Sequence, residues 1–285
     1  MSIRDNENRF GGPLAPDESP PPSESVQEKQ GMSFVVATEI VDLPSGGNFY
    51  PEGSPLHGVE SIEVKHMTAK DEDILVNRSY ITKGVVLDRL LQNVLVDKNF
   101  GVDDLLVGDK NALLVATRIT GYGSEYNTKV LCPACGIISE NSFDLDEIGA
   151  TESNTGAHEA QQTANGTFLL TLPNSGVEVE IRPFTGRDEK NILSSNKTRK
   201  KNKLPELGLT DQMKRYIMSA NGSENKKDIS DFVDVMPAMD SRYLRGAYKE
   251  LIPNVDLVQH FECPECTHEQ EMEVPFTSDF FWPKS

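Results

Sequence analysis

Leu87, Leu90, Leu91, Val94 and Leu95 recur at i, i+3, i+4, i+7 and i+8, which places them on one face of an amphipathic α-helix. Met213, Tyr216, Ile217 and Ala220 repeat the pattern and predict a second such helix. Two more helices are expected through Leu113, Ala116 and Ile119 and through Leu244, Ala247 and Leu251, with Asp109 and Asp240 as their caps. Strand character marks Thr128 to Leu131, Phe143 to Leu145, Val258 to Phe261 and Met272 to Val274. The segment from Gln162 to Ile181 alternates around Pro173-Asn174-Ser175-Gly176 and reads as a hairpin. Together these elements give an α+β fold.

Part of the pattern occurs twice. Ile62-Glu63-Val64-Lys65-His66-Met67-Thr68-Ala69-Lys70-Asp71-Glu72 returns as Val179-Glu180-Ile181-Arg182-Pro183-Phe184-Thr185-Gly186-Arg187-Asp188-Glu189 at an offset of 117. Val102, Asp103 and Asp109 return as Val233, Asp234 and Asp240 at an offset of 131, which also carries Cys132 onto Cys263. Thr68 and Thr185 are expected as N-caps, each followed by acidic residues that suit the positive end of a helix dipole. The growth in offset falls in Ser194 to Leu209, a stretch without apolar periodicity that is read as a basic loop holding Lys197, Arg199, Lys200, Lys201 and Lys203. These matches imply an internally duplicated unit of strand, capped helix and further helices; chance similarity is the alternative.

All four cysteines lie in two knuckles, Cys132-Pro133-Ala134-Cys135 and Cys263-Pro264-Glu265-Cys266. Two intervening residues let both sulfurs of a knuckle face one ion, and the flanking strands complete the plan of a split zinc ribbon. Gly136 suits the positive φ of such a turn, whereas the second knuckle carries Thr267 there. One structural Zn2+ held by Cys132, Cys135, Cys263 and Cys266 is therefore expected, since four thiolates leave no position for water or substrate. The alternatives are a disulfide within each Cys-x-x-Cys or four unrelated thiols.

With 45 acidic against 28 basic residues the chain carries a net charge of −17, a poor match for the basic face that phosphate binding requires. A hydrophobic content of 37% and a mean hydropathy of −0.44 describe a soluble protein. No apolar run approaches a membrane span, and the N-terminus is read as lacking a signal peptide, so a reducing cytoplasm is expected. The five histidines form no motif with a nucleophile, and no phosphate-cradling glycine loop is present. His158-Glu159 has the wrong spacing for a zinc deaminase. No enzyme is indicated.

Several stretches resemble one protein family. Leu43-Pro44-Ser45-Gly46-Gly47-Asn48-Phe49-Tyr50-Pro51, Pro55 to Gly58, Ile62 to Glu72, Gly84 to Leu95, Asp109 to Gly123, both knuckles and Phe280-Phe281-Trp282-Pro283 are similar to the baseplate hub proteins of T-even-type contractile-tailed bacteriophages. The resemblance covers roughly residues 33 to 285. It implies a non-enzymatic late viral protein of tail morphogenesis, working in the host cytoplasm or in the virion tail baseplate through contacts with other hub proteins. No small-molecule substrate, membrane or nucleic acid is implied. The alternative is a zinc-ribbon module that binds nucleic acid or transcription machinery through Lys197 to Lys203.

The expected organisation is a disordered Pro-rich arm over 1–31, a first half with its knuckle over 32–150, a flexible linker over 151–166 and a second half with its knuckle over 167–285. Phe49, Tyr50, Phe281 and Trp282 are candidate partner contacts, with burial against the chain's own core as the alternative.

Overall fold

The computed structural model describes residues 36–274 together with 280 and 281. The expected 1–31 arm and Trp282 lie outside the described residues.

Thr38–Asp42 (β1) and Ser61–Lys65 (β2) pair antiparallel, and period-two alternation turns Ile62 and Val64 inward. Thr68 then caps Ala69–Leu75 (α1): its N–H and its hydroxyl donate to the Asp71 carboxylate at 2.8 and 2.7 Å. The short helix Arg78–Lys83 (α2) ends at Gly84 and is followed by Val86–Val94 (α3), which buries Leu90, Leu91 and Val94 as their spacing predicts.

A 3-10 turn at Val102–Asp104 leads into Val107–Tyr122 (α4). Nine of its residues are buried, among them the polar Asp109, Lys110, Thr117 and Arg118. Asp109 is not the predicted cap, because Leu106 holds that position. It stands two residues inside the helix and accepts hydrogen bonds from a remote loop: the Ser45 N–H at 2.9 Å, the Ser45 hydroxyl at 2.7 Å and the Tyr50 hydroxyl at 2.6 Å.

The hairpin Glu125–Leu131 (β3) and Ile138–Asp144 (β4) follows. Residues 150–166 contain Ala150–Thr151 (β5), a 3-10 turn at Thr155–His158 and Gln161–Gln162 (β6), both strands tied in by backbone pairing, with Ala160 packed against the core. Phe168–Thr171 (β7) and Glu178–Ile181 (β8) form the hairpin expected around Pro173 to Gly176.

Thr185 caps Gly186–Lys201 (α5), again with a reciprocal aspartate, Asp188. This corrects the expected basic loop, since Lys197, Arg199, Lys200 and Lys201 are all helical. Straight-chain residues keep good helix propensity without an apolar stripe, and cations in the last turn complement the helix dipole. The loop proper begins at Asn202. Leu209–Tyr216 (α6) buries Met213 and Tyr216, but Ile217–Ala220 (β9) is a strand against β8, so the predicted helix stops at Tyr216. Ile217 and Ala220, three apart, would share a helix face but fall on alternate faces of a strand, and pairing with β8 satisfies the backbone of that segment.

Lys226–Val235 (α7) and Ala238–Leu251 (α8) follow. Asp240, like Asp109, lies inside its helix and not at the cap; it accepts the N–H groups of Asn174 and Ser175 at 2.8 and 2.9 Å. Asn254–Val255 (β10), Val258–Glu262 (β11) and Glu269–Glu273 (β12) complete the fold. Among the described residues there are eight α-helices and five small sheets, the largest ordered β6-β7-β8-β9, in an α+β arrangement. No described helix is long and apolar enough to cross a membrane.

Candidate metal centre

The knuckles sit at the tips of the β3–β4 and β11–β12 hairpins, and strand register aims them. Along β3 the inward positions are Tyr126, Thr128 and Val130, and the next in that series is Cys132. Along β11 they are Gln259 and Phe261, and the next is Cys263. Both leading cysteines are buried, while Cys135 and Cys266, farther round the turns, are exposed.

The two turns use the same hydrogen bonds. Cys132 N–H donates to the Ile137 carbonyl and Gly136 N–H to the Cys132 carbonyl, each at 2.9 Å; Cys263 with His268 and Thr267 with Cys263 repeat both distances. The turn requires a left-handed residue after the second cysteine. Gly136 meets this at φ 71°, but Thr267 stands there at φ 54°, a conformation disfavoured for a β-branched side chain.

The hairpins are set against one another from below. β5 pairs with β10 through Ala150↔Val255 and Thr151↔Asn254, tying the exit of the first hairpin to the approach of the second. Gln259 donates to the Asp144 carbonyl, from one hairpin to the other. Arg118, fully buried in α4, donates to the carbonyls of Gly123 and Glu125 at the root of β3 and to that of Phe280. Gly108 lets the start of α4 meet the Pro253-Asn254 backbone, since an added Cβ would lie 2.2 Å from the Pro253 carbonyl oxygen.

These ties bring all four sulfurs within 4.8 Å of one another. Cys132 and Cys266 are 3.7 Å apart and Cys135 and Cys263 3.9 Å, all four as free thiols. A tetrahedral ion with metal–sulfur bonds of about 2.3 Å requires sulfurs about 3.8 Å apart, so the cluster is compatible with a metal site. The Cys132 thiol is drawn down to about 6, first by the backbone N–H of Cys135, then by that of Ala134, against the opposing effect of burial. Cys266 is pushed up to about 12: the His268 N–H lowers it, but burial and the hydrogen bonds with Cys135, Cys263 and Cys132 prevail.

The other candidate residues lie elsewhere. Phe49, stacked on Phe168, Tyr50 and Phe281 are 8, 2 and 2% exposed, so in this arrangement they offer a partner almost no surface. The basic cluster belongs to α5, away from the knuckles in the sequence. The β5–β10 strap and Arg118 are not legible from motifs, because two-residue strands and a lone arginine carry no sequence signature.

No curated protein and no solved structure matches this chain. One family, described as T4 bacteriophage base plate protein, matches residues 36–282, which takes in both knuckles and every described residue. The chain belongs to that family of T4-type phage baseplate proteins.

Proposed function

We propose that the chain is a non-enzymatic component of the central hub of the phage baseplate, either a subunit of the virion tail or an assembly factor acting in the host cytoplasm. It binds other hub proteins and is braced by one structural Zn2+ on Cys132, Cys135, Cys263 and Cys266. The family match over residues 36–282 carries the reading. Four sulfur donors at tetrahedral spacing support zinc, and because they fill its coordination they support a bracing ion over a catalytic one.

The zinc would join two copies of one unit, spanning 32–150 and 167–285 with 151–166 between them. Three pairs of details support this duplication. Thr68 with Asp71 and Thr185 with Asp188 form the same capping box. Ser45 on Asp109 and Asn174 on Asp240 dock a turn on the start of a long helix in the same way. The two knuckles share their turn hydrogen bonds. Each copy contributes half of the donors, so the ion acts as a cross-link between copies.

Native mass spectrometry of the protein alone and co-expressed with candidate hub proteins tests both parts. One zinc per chain and a complex of defined mass are expected. A metal-free chain would remove the zinc, and a chain that stays alone with every hub protein would remove the hub role.

A further inference from the structure

A cavity of about 880 Å3 opens between α3 and α5, away from the cysteines. Leu114, Phe280 and Phe281 form part of its lining, with Val86 and Leu87 of α3 and Leu193 of α5. Leu193 is 60% exposed, and Ile81 of α2, which also lines the cavity, is 48% exposed, so apolar surface continues outward from it.

Asp88 and Glu189 line this cavity together with four lysines, and those lysines are of two kinds. Lys110 and Lys190 are neutralised, the first by Asp88 and Glu189, the second by Asp103. Lys83, at the end of α2, and Lys197, on α5, have no carboxylate partner among the described residues. Lys197 reaches the Thr82 carbonyl at 2.5 Å, which holds its charge at the α2 side of the opening. Past it α5 presents Arg199, Lys200 and Lys201, also without ion pairs among the described residues. In a chain of net charge −17, uncompensated cations beside an exposed apolar groove require a separate explanation.

We propose that this groove is the docking site for an acidic amphipathic helix of another baseplate protein. Apolar side chains at i, i+3 or i+4 and i+7 of that helix fill the cavity, and its Asp and Glu residues pair with Lys83, Lys197 and the basic end of α5. A nucleic acid would satisfy the cations but leave the apolar lining wet, so a peptide with both characters is the better complement. The proposal rests on the hub reading above for the identity of the partner, not for the chemistry of the groove.

The test uses the full-length protein, wild type and with Leu193→Glu, Lys83→Glu or Lys197→Glu, all at exposed positions where wild-type unfolding midpoints are expected. Each is co-expressed with the hub proteins and weighed by native mass spectrometry. Fluorescein-labelled 20-residue peptides tiled through the associating protein are then titrated by anisotropy. One acidic, apolar peptide should bind the wild type, with affinity falling at least about tenfold for Leu193→Glu and a shallower salt dependence for Lys197→Glu. Complexes that survive all three substitutions would overturn the groove and leave the hub role standing. A wild type that associates with no hub protein would overturn the hub role and this partner together. A mass of two chains lost with Leu193→Glu would assign the groove to a second copy. Binding of a labelled 20-nucleotide DNA that is lost with Lys197→Glu but kept with Leu193→Glu would assign the cations to nucleic acid. Either result replaces the proposed occupant.

Discussion

The Tyr50 hydroxyl donates to Asp109 Oδ2 at 2.6 Å and accepts the Leu106 N–H at 3.0 Å, so one phenol joins the Leu43 to Tyr50 loop to both the cap and the first turn of α4. Burial pushes Asp109 above its ordinary value, while the hydrogen bonds from Tyr50 and Ser45 pull it back. Tyr50→Phe would leave the carboxylate short of a donor and the Leu106 N–H unpaired. We expect a loss of about 2 kcal/mol, read as a lower urea midpoint at unchanged slope.

Lys110 offers a second measure of internal charge. It is buried and held by Asp88 of α3 and Glu189 of α5, both at 2.8 Å, with Asp88 about one-fifth and Glu189 about one-third exposed. Lys110→Met should cost about 2 to 3 kcal/mol, below the full figure for a buried pair because water partly screens the carboxylates. Adding Glu189→Gln should cost less than the sum of the two single changes, a coupling that a double-mutant cycle would read.

Asp188 sets the sign of an acid-limb prediction. Burial would raise its pKa, but the Arg182 guanidinium, at 2.7 and 2.9 Å, and the Thr185 N–H outweigh that and hold it below the usual 3.8. Its stabilisation is present above the unfolded value and disappears as pH falls through the lower folded one. Asp188→Asn should therefore flatten the dependence of unfolding free energy on pH below about 4, while leaving its slope near neutrality unchanged.

Thr267 is a site for improvement. A left-handed conformation costs an L-residue about 1 to 2 kcal/mol, of which glycine recovers part after its larger unfolded-state entropy is counted. Thr267→Gly should stabilise the second knuckle by about 1 kcal/mol, and Gly136→Thr should destabilise the first by a similar amount. Hydrogen exchange at the Cys263 and Cys132 amides reports each change locally.

Removal of metal should affect both hairpins together. Structural zinc contributes on the order of 10 kcal/mol of apparent binding energy at neutral pH. Chelation, or Cys132→Ser, should therefore speed exchange in β11 and β12 as much as in β3 and β4. Acid should release the ion as the thiolates protonate. Cobalt substitution should give the spectrum of four thiolates, and retained full occupancy in Cys263→Ser would contradict a shared site.

Where one residue stripe or one motif decided an element, the sequence was sufficient. Leu90, Leu91 and Val94 define α3, Thr68 and Thr185 mark helix starts, and Cys132 and Cys263 fall where strand alternation turns them inward. The rest depended on contacts between remote segments. α5 is exposed along most of its length and has no stripe to find, so its caps and its propensity sustain it. Ile217 and Ala220 suit a helix until β8 offers a strand to pair with. Asp109 reads as a cap because that is the local use of an aspartate there; its partners Ser45 and Tyr50 come from a loop some sixty residues earlier. The orientation of the hairpins rests on the two-residue strands β5 and β10, too short to signal themselves.

Cys132 and Cys266 touch across 134 positions of sequence. At a synthesis rate of 5 to 20 residues per second, the first knuckle waits on the order of ten seconds for the second. During that interval a nascent chain has half a cage, two thiols open to oxidation and Leu131 and Ile138 on bare strands beside them. Completion of the cage thus records that both ends of the fold have arrived, and a chain halted between the knuckles holds only half of the four-sulfur donor set.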